Sequence, residues 1–439
     1  MKSDSEFEKN LISRTGKIRR LLHTNEHQAR TELANLLCEL FDINVEALRI
    51  NHDQYSLNSM NGFFQSGDET FFFKFHQEDG EEDMEGEYYR AEILSNAGLP
   101  VDIPVMKSSL PGEQILVYPK RDDKRFSDIL FELDRFPNRH VEEKVLMAER
   151  NLNSKILEVA IQTLHPVNVT QVRNEPIHHL FYDRMINLKS MEFPGGRYKD
   201  FYIGKDFQFP NLKLTWEEFS QAGLVINGQK MRLTFAEIFD EAFSNLNPKN
   251  LTKAGGFVAH GDAHNANIWF ESHVRGANLC YFDPAFAGEH IPSLLAEAKA
   301  TFHNIFAHPL WLYDSDTAAS TFDANVDYEN NILSITTNWA LSSIREKLLE
   351  IKINFFWKPL LEHLNDQKLL PFKWHKSLRS ALAMCPALVM NLRGNVDRHN
   401  QISSAIAFSV IALCGSEPEE GSNIITDFFR QIDPLNKIA

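Results

Sequence analysis

Cysteine is scarce, with Cys38, Cys280, Cys385 and Cys414 the only four in 439 residues, and none of them forms a CxxC pair or a framework spacing. A disulfide scaffold and a cysteine-built zinc site are therefore poorly supported, and a reducing, cytoplasmic setting is expected. Basic charge is also short: 45 Lys+Arg stand against 60 Asp+Glu, for a formal charge of −15. A protein that grips a phosphate backbone needs basic patches, so nucleic acid is not an expected partner. Long apolar runs are missing as well. The most apolar stretch, Ala405 to Cys414, is about half the length a membrane span requires, so no membrane partner is expected. The first thirty residues carry Lys2, Asp4, Glu6, Glu8, Lys9 and Arg14 without an apolar core, so no secretory signal is expected. Glycine is sparse at 20 residues beside 33 Phe, which points to aromatic cores and few glycine-built loops.

What is present amounts to two lobes' worth of core-forming sequence, with 43% of residues hydrophobic and 24% charged. Glu26 to Leu40 has apolar residues at helical spacing, and Ala47 to Phe75 changes to short runs separated by turn residues. A helix followed by a β-meander is expected. Ser66-Gly67-Asp68 sits between two apolar runs and reads as a hairpin turn. On the second of those strands Phe71, Phe73 and Phe75 share one face while Phe72, Lys74 and His76 share the other. Seven acids fall in the eleven residues Gln77 to Glu87, leading into a helix that Gly98 closes. Most of these acids read as a solvated helix start. Glu87 differs, because it shares an inward stripe with Met84, Ala91 and Leu94.

A strand over Gln114 to Tyr118 runs into Pro119-Lys120-Arg121-Asp122-Asp123, read as the linker between residues 1–120 and 121–439. Ser127 to His165 is largely helical in pattern. Residues of about 190–235 read as an insertion, with Asn227-Gly228 the best local hairpin signal. From Leu294 onward a mostly helical bundle is expected.

Residues 255 to 270 carry the chemistry. An apolar strand (Phe257 to Ala259) empties into a loop holding His260, Asp262, His264 and Asn267, and a strand from Ile268 follows. Asp283 ends a further strand, Leu279 to Phe282. An Asp, an Asn five residues later and a second Asp are thus expected at one sheet edge. This set suits phosphoryl transfer: one carboxylate orients an acceptor hydroxyl and takes its proton, while an amide oxygen and the second carboxylate hold Mg²⁺ on nucleotide phosphates. His260 and His264 at spacing four could also be read as zinc ligands, but Gly261 and Asp262 disfavour a helix there and no third soft ligand is near.

The loop HisGlyAspAlaHisAsnAlaAsn resembles the HGDxHxxN catalytic loop of the aminoglycoside phosphotransferase and choline kinase family, the small-molecule branch of the protein-kinase-like fold. Lys74 on its strand, Glu87 thirteen residues on, the Gly98-Leu99-Pro100-Val101 turn and Leu164-His165-Pro166 resemble further parts of that family in the same order. The resemblance implies an α+β, bilobal fold, with a small antiparallel sheet and one key helix in the N-terminal lobe and a mainly helical C-terminal lobe. It implies ATP and Mg²⁺ as cofactors and a small hydroxylated molecule as acceptor. It makes Asp262 the catalytic base and Asn267 and Asp283 the metal ligands, with Lys74 on the α/β phosphates and Glu87 holding Lys74. His260 and His264 become loop-structural. The strand holding Val117 would contact adenine through its backbone.

Three departures stand out. The segment 56–64 offers one glycine, Gly62, with Ser59 and Asn61 as phosphate donors, where a glycine-rich loop would be usual. Asp283 is followed by ProAlaPheAlaGlyGluHisIlePro instead of Asp-x-Glu or Asp-x-Asp. The loop-bracing Asp expected past that proline is missing, leaving Glu289 or Glu297 to substitute. Two other readings remain open beside phosphotransfer: a kinase-fold binding protein without turnover, and nucleotidyl transfer on the same fold.

Overall fold

In the computed structural model, residues 13–51, 59–76, 90–110 and 112–435 are described. The chain divides into two compact units, Met1–Glu92 with Val101–Asp123, and Ile93–Pro100 with Lys124–Ala439.

The first unit opens on two helices, α1 (Arg14–Thr24) and α2 (Glu26–Phe41), joined through Asn25 alone. Asn25 stops α1 by donating its N–H to Leu21 O and starts α2 by accepting from Gln28 N through its side chain. The buried stripe Ala29, Leu33, Leu36, Leu37 follows the 3.6-residue period and packs on a five-stranded sheet. The strands are β1 (Glu46–Ile50), β2 (Ser59–Ser66), β3 (Glu69–His76), β4 (Met106–Ser108) and β5 (Ile115–Pro119), in the spatial order β1-β2-β3-β5-β4. Every pairing is antiparallel. The Gly67-Asp68 turn is where the pattern places it, with Gly67 at φ +61° taking the left-handed position. Phe73 and Phe75 point into the core with the helices, whereas Phe72 packs with Leu116 and Tyr118 on the opposite face.

A short helix, Ala91–Asn96, buries Ala91 and Leu94 and closes on Gly98 at φ +89°. Glu87 lies outside the described residues, as do Met84 and the acidic run.

In the second unit the helix Arg139–Thr163 buries one long face from Val145 to Ala160. The strands flanking the polar loop do not share one sheet edge as expected. Gly256–Ala259 pairs with Gly288–Pro292 in a two-stranded sheet, while Ile268–His273 sits between Gly276–Tyr281 and Lys124–Arg125. The loop therefore joins two small sheets, because its first strand takes as partner a segment that follows Asp283 in the chain.

The Asn227-Gly228 hairpin forms, with both residues at positive φ. Near it Phe207, Phe219, Phe235 and Phe408 stack into an aromatic core, Phe207 and Phe219 at a centroid separation of 4.0 Å. The region after Leu294 is mostly helical but contains a β-hairpin, Ala324–Glu329 with Ile332–Thr337. Its turn is Asn330-Asn331 at φ +51° and +62°, and Ile332–Thr337 also pairs in parallel with Gly223–Ile226. The half-exposed alternation of this hairpin gives only a weak apolar signal, and its sheet partner lies about a hundred residues earlier. The apolar stretch Ala405–Cys414 is the interior of helix Gln401–Gly415. Among the described residues no helix is long and apolar enough to cross a membrane.

Candidate active site

In the first unit Lys74 extends from β3 opposite Leu116, beside Phe72, and is only 9% exposed. Asn61 stands opposite Lys74 across β2 and accepts a hydrogen bond from Asn51 Nδ2 at 2.8 Å. Ser59 and Gly62 lie on the same strand, so the expected phosphate segment is, from Ser59 onward, regular ladder and not loop. Gly62 is explained by packing: a Cβ there would sit 2.0 Å from Arg49 O and 2.9 Å from the Phe73 ring. Val117 is fully buried, with its backbone paired to both β3 and β4.

The second unit holds the 260–267 loop. Gly261 opens it at φ +74°, and a Cβ at that position would meet Phe286 O at 2.4 Å, so only glycine fits. His260 is buried and pins both ends of the site. Its Nδ1 accepts from the Asp262 N–H at 3.3 Å, which leaves Nε2–H to donate to Phe282 O at 3.1 Å. Phe282 N donates to Asn267 O at 2.9 Å, and the Phe282 ring stacks on Trp269. Asp283 follows at φ +56°, a left-handed conformation that Asp tolerates better than most residues. The clamps on Phe282 hold it there. Asn267 Nδ2 donates to Asp262 O at 3.0 Å, so Asn267 Oδ1 is its remaining polar atom.

Asp262 is 7% exposed, and its Oδ1 lies 2.5 Å from Lys299 Nζ and 3.5 Å from His264 Nε2. Oδ1 is the oxygen nearer to both. Burial is the largest influence and pushes the Asp262 carboxyl up, but the Lys299 charge and hydrogen bond, with His264 and His260, together hold it below the ordinary range. Burial also lowers Lys299, Asp262 partly restores it, and the Arg184 charge adds to the lowering. Burial takes His264 down to about 4 and lowers His260, so both rings are neutral near pH 7.

Lys299 is the residue that sequence reasoning missed. It stands on Ala298–Thr301, at the end of the segment that lacks the bracing Asp, with its ammonium over the Phe286 ring at 5.9 Å. Neither acid expected to brace the loop does so. Glu289 is exposed, and Glu297 Oε2 is bound by Lys352 Nζ at 2.6 Å in a buried network with Asn153. The backbone support comes from Asn304, whose Oδ1 accepts from Asn265 N at 2.8 Å. Asn304 lies on a π-helical turn, Phe302–Phe306, whose carbonyl the buried Arg345 grips while pairing with Asp134 at 2.6 Å. No local pattern marks Lys299 or Asn304, since each meets the loop from about 37 to 39 residues away in the chain.

Asn267 and Asp283 provide hard oxygen donors, of the type Mg²⁺ takes, and the two are tied through Phe282. Two protein oxygens suit a Mg²⁺ that completes its shell with phosphate and water. Among the described residues no group of three or more His, Cys, Asp or Glu could hold a metal.

Neither a protein-family model nor a curated protein matches the sequence. Solved structures do show similarity at low identity. A spectinomycin phosphotransferase in complex with ADP and spectinomycin is 13% identical, with 87% of this chain and 98% of that one covered at a TM-score of 0.35. An aminoglycoside phosphotransferase is 10% identical over 87% and 98%, TM-score 0.42. A microcompartment-associated aminopropanol kinase is 11% identical over 88% and 95%, TM-score 0.44.

Proposed function

We propose that the chain is an ATP-dependent phosphotransferase acting on a hydroxyl group of a small molecule. The observation that carries this reading is the Asp262 environment: a buried carboxylate with Oδ1 held by Lys299 and Oδ2 left for an acceptor. Asn267 is bonded to the Asp262 carbonyl and Asp283 is fixed through Phe282.

In this reading the acceptor's O–H points at Asp262 Oδ2, and its proton passes there as the oxygen bonds to the γ-phosphorus. The bond from that phosphorus to the bridging oxygen breaks and ADP leaves. A loose transition state asks little basicity of Asp262, so a carboxylate kept ionised by Lys299 serves chiefly to orient the hydroxyl. Asn267 and Asp283 would hold Mg²⁺, which when bound neutralises phosphate charge. Lys74 and Glu87 would serve the α/β phosphates and Ser59, Asn61 and Gly62 the phosphate-facing strand, whereas Val117, buried with its backbone paired on both sides, has no group left for the adenine. His260 and His264, neutral, keep the loop in shape without adding charge.

Labelled ATP tests the proposal. Label from the γ position should move to a hydroxyl compound; movement of the α label instead would indicate nucleotidyl transfer, and movement of neither would indicate binding without turnover.

A further inference from the structure

A cavity of about 360 Å³ contains none of the residues placed at the candidate active site. Its size is at the small end of the ~300–1,000 Å³ usual for small-molecule sites. Phe201, Val389 and Met390, all half-buried, give it an apolar wall. Arg197 stands beside them with its guanidinium already engaged, since Nη1 donates to the carbonyls of Leu388 and Val389, each at 3.1 Å. The facing residues come from the loop before helix Gln401–Gly415. That loop is tied at several points: Asn395 N donates to His399 O at 2.8 Å, His399 N to Val396 O at 3.1 Å, and Ser315 Oγ to Arg398 O at 2.5 Å.

Three consecutive residues of the loop line the cavity. Asp397 and Arg398 are exposed, which puts them at its rim, and among the described residues neither side chain forms an ion pair or a hydrogen bond. Arg393 feels the Asp397 charge, but its Nη1 is given to Asp206 O at 2.9 Å. His399 is different, being only 3% exposed. Its Nδ1 meets Ser403 Oγ at 3.1 Å, and because that hydroxyl gives its proton to Asn400 O at 3.2 Å, Nδ1–H is the donor of the pair. Nε2 is left as a bare acceptor, buried and without a partner among the described residues. Burial takes the ring down to about 4, so it stays neutral and Nε2 stays an acceptor at pH 7. A buried polar atom left without its hydrogen bond is costly, so this nitrogen marks where the donor of a ligand belongs.

We infer that the cavity binds an α-amino acid whose apolar side chain ends in an N–H or O–H donor, of the tryptophan or tyrosine kind. The ammonium pairs with Asp397 and the carboxylate with Arg398. The ring packs on Phe201, Val389 and Met390, and its N–H or O–H donates to His399 Nε2. Opposite charges on neighbouring residues select a zwitterion, because a simple cation or anion matches one of them and is repelled by the other. An aromatic body with a polar tip suits a site that is apolar along its wall and lacks one donor. This inference stands independently of the phosphotransferase reading.

Calorimetric titration of the full chain with four compounds tests it. L-Tryptophan should bind. Tryptamine, which lacks the carboxylate, and indole-3-propionate, which lacks the ammonium, should each bind about threefold or more weakly, the loss expected for one exposed ion pair. L-Phenylalanine, which lacks the ring donor, should also bind about threefold or more weakly. Asp397→Asn should weaken L-tryptophan about threefold and leave indole-3-propionate no weaker, whereas Arg398→Gln should weaken L-tryptophan about threefold and leave tryptamine no weaker. Both residues are exposed, so neither change threatens the fold. Three results would each sink the site as drawn: no saturable heat with L-tryptophan, equal affinity for L-tryptophan and any of the other three compounds, or L-tryptophan affinity unchanged in both variants.

Discussion

Lys299 Nζ sits 2.5 Å from Asp262 Oδ1, both side chains nearly buried, so the carboxylate at the centre of the site is half of an internal ion pair. Removing one partner of such a pair strands the other charge, which typically costs about 3–5 kcal/mol. Lys299→Met should therefore lower stability by about 3 kcal/mol in chemical denaturation, and pairing it with Asp262→Asn should recover much of that loss. Because Lys299 is the strongest of the groups that hold Asp262 low, the acid limb of the kcat profile should also move to higher pH in Lys299→Met. An unmoved limb would mean that Lys299 does not tune the carboxylate.

Asp262→Ala should reduce turnover by a factor of about 10² to 10⁴, the usual range for a positioned base. Binding of Mg·ATP should change little. Full activity in this variant would remove Asp262 from the chemistry.

Gly261→Ala combines a positive φ with a Cβ clash against Phe286 O at 2.4 Å. Backbone atoms cannot swing aside, so the loop must shift. The expected result is activity near background with the circular dichroism of the folded chain retained, since the strain falls on one loop while the cores of both units are untouched.

Acid should destabilise the protein over a definable window. Burial takes His178, His264 and His399 down to about 4, from an ordinary value of 6.5. Each is neutral when folded and gains a proton more readily when unfolded. Their contribution is complete above about pH 6.5 and is lost as pH falls toward 4, at up to about 1.4 kcal/mol per pH unit per group. Urea midpoints measured between pH 7 and 4 should fall, and His178→Gln should flatten that slope; an identical slope would place the proton uptake elsewhere.

Much of the fold was legible locally. The turns at Gly67-Asp68 and Asn227-Gly228, the helix closed by Gly98 and the strand-loop-strand around Asp262 all depend on residues a few positions apart, where φ preference and period speak directly. The Phe face that buries β3 and the opposite face that carries Lys74 follow from simple alternation. The hairpin at Asn330-Asn331 was less visible, because its strands are half exposed and one of them finds a parallel partner in Gly223–Ile226.

Spacing and residue type were enough to name Asp262, Asn267 and Asp283 as a set of oxygens and to place His260 among them. Which charges surround them was settled by packing. Glu297 and Lys299 stand two residues apart in chain, yet one is drawn to Lys352 and the other to Asp262. Arg184 and Arg197, thirteen residues apart, both donate to the carbonyl of Leu388, about two hundred residues on. A buried charge takes whichever opposite charge the assembled core brings within reach, since in a poorly solvated interior leaving it unmatched costs several kcal/mol. That choice depends on contacts between distant segments, and no local period encodes it.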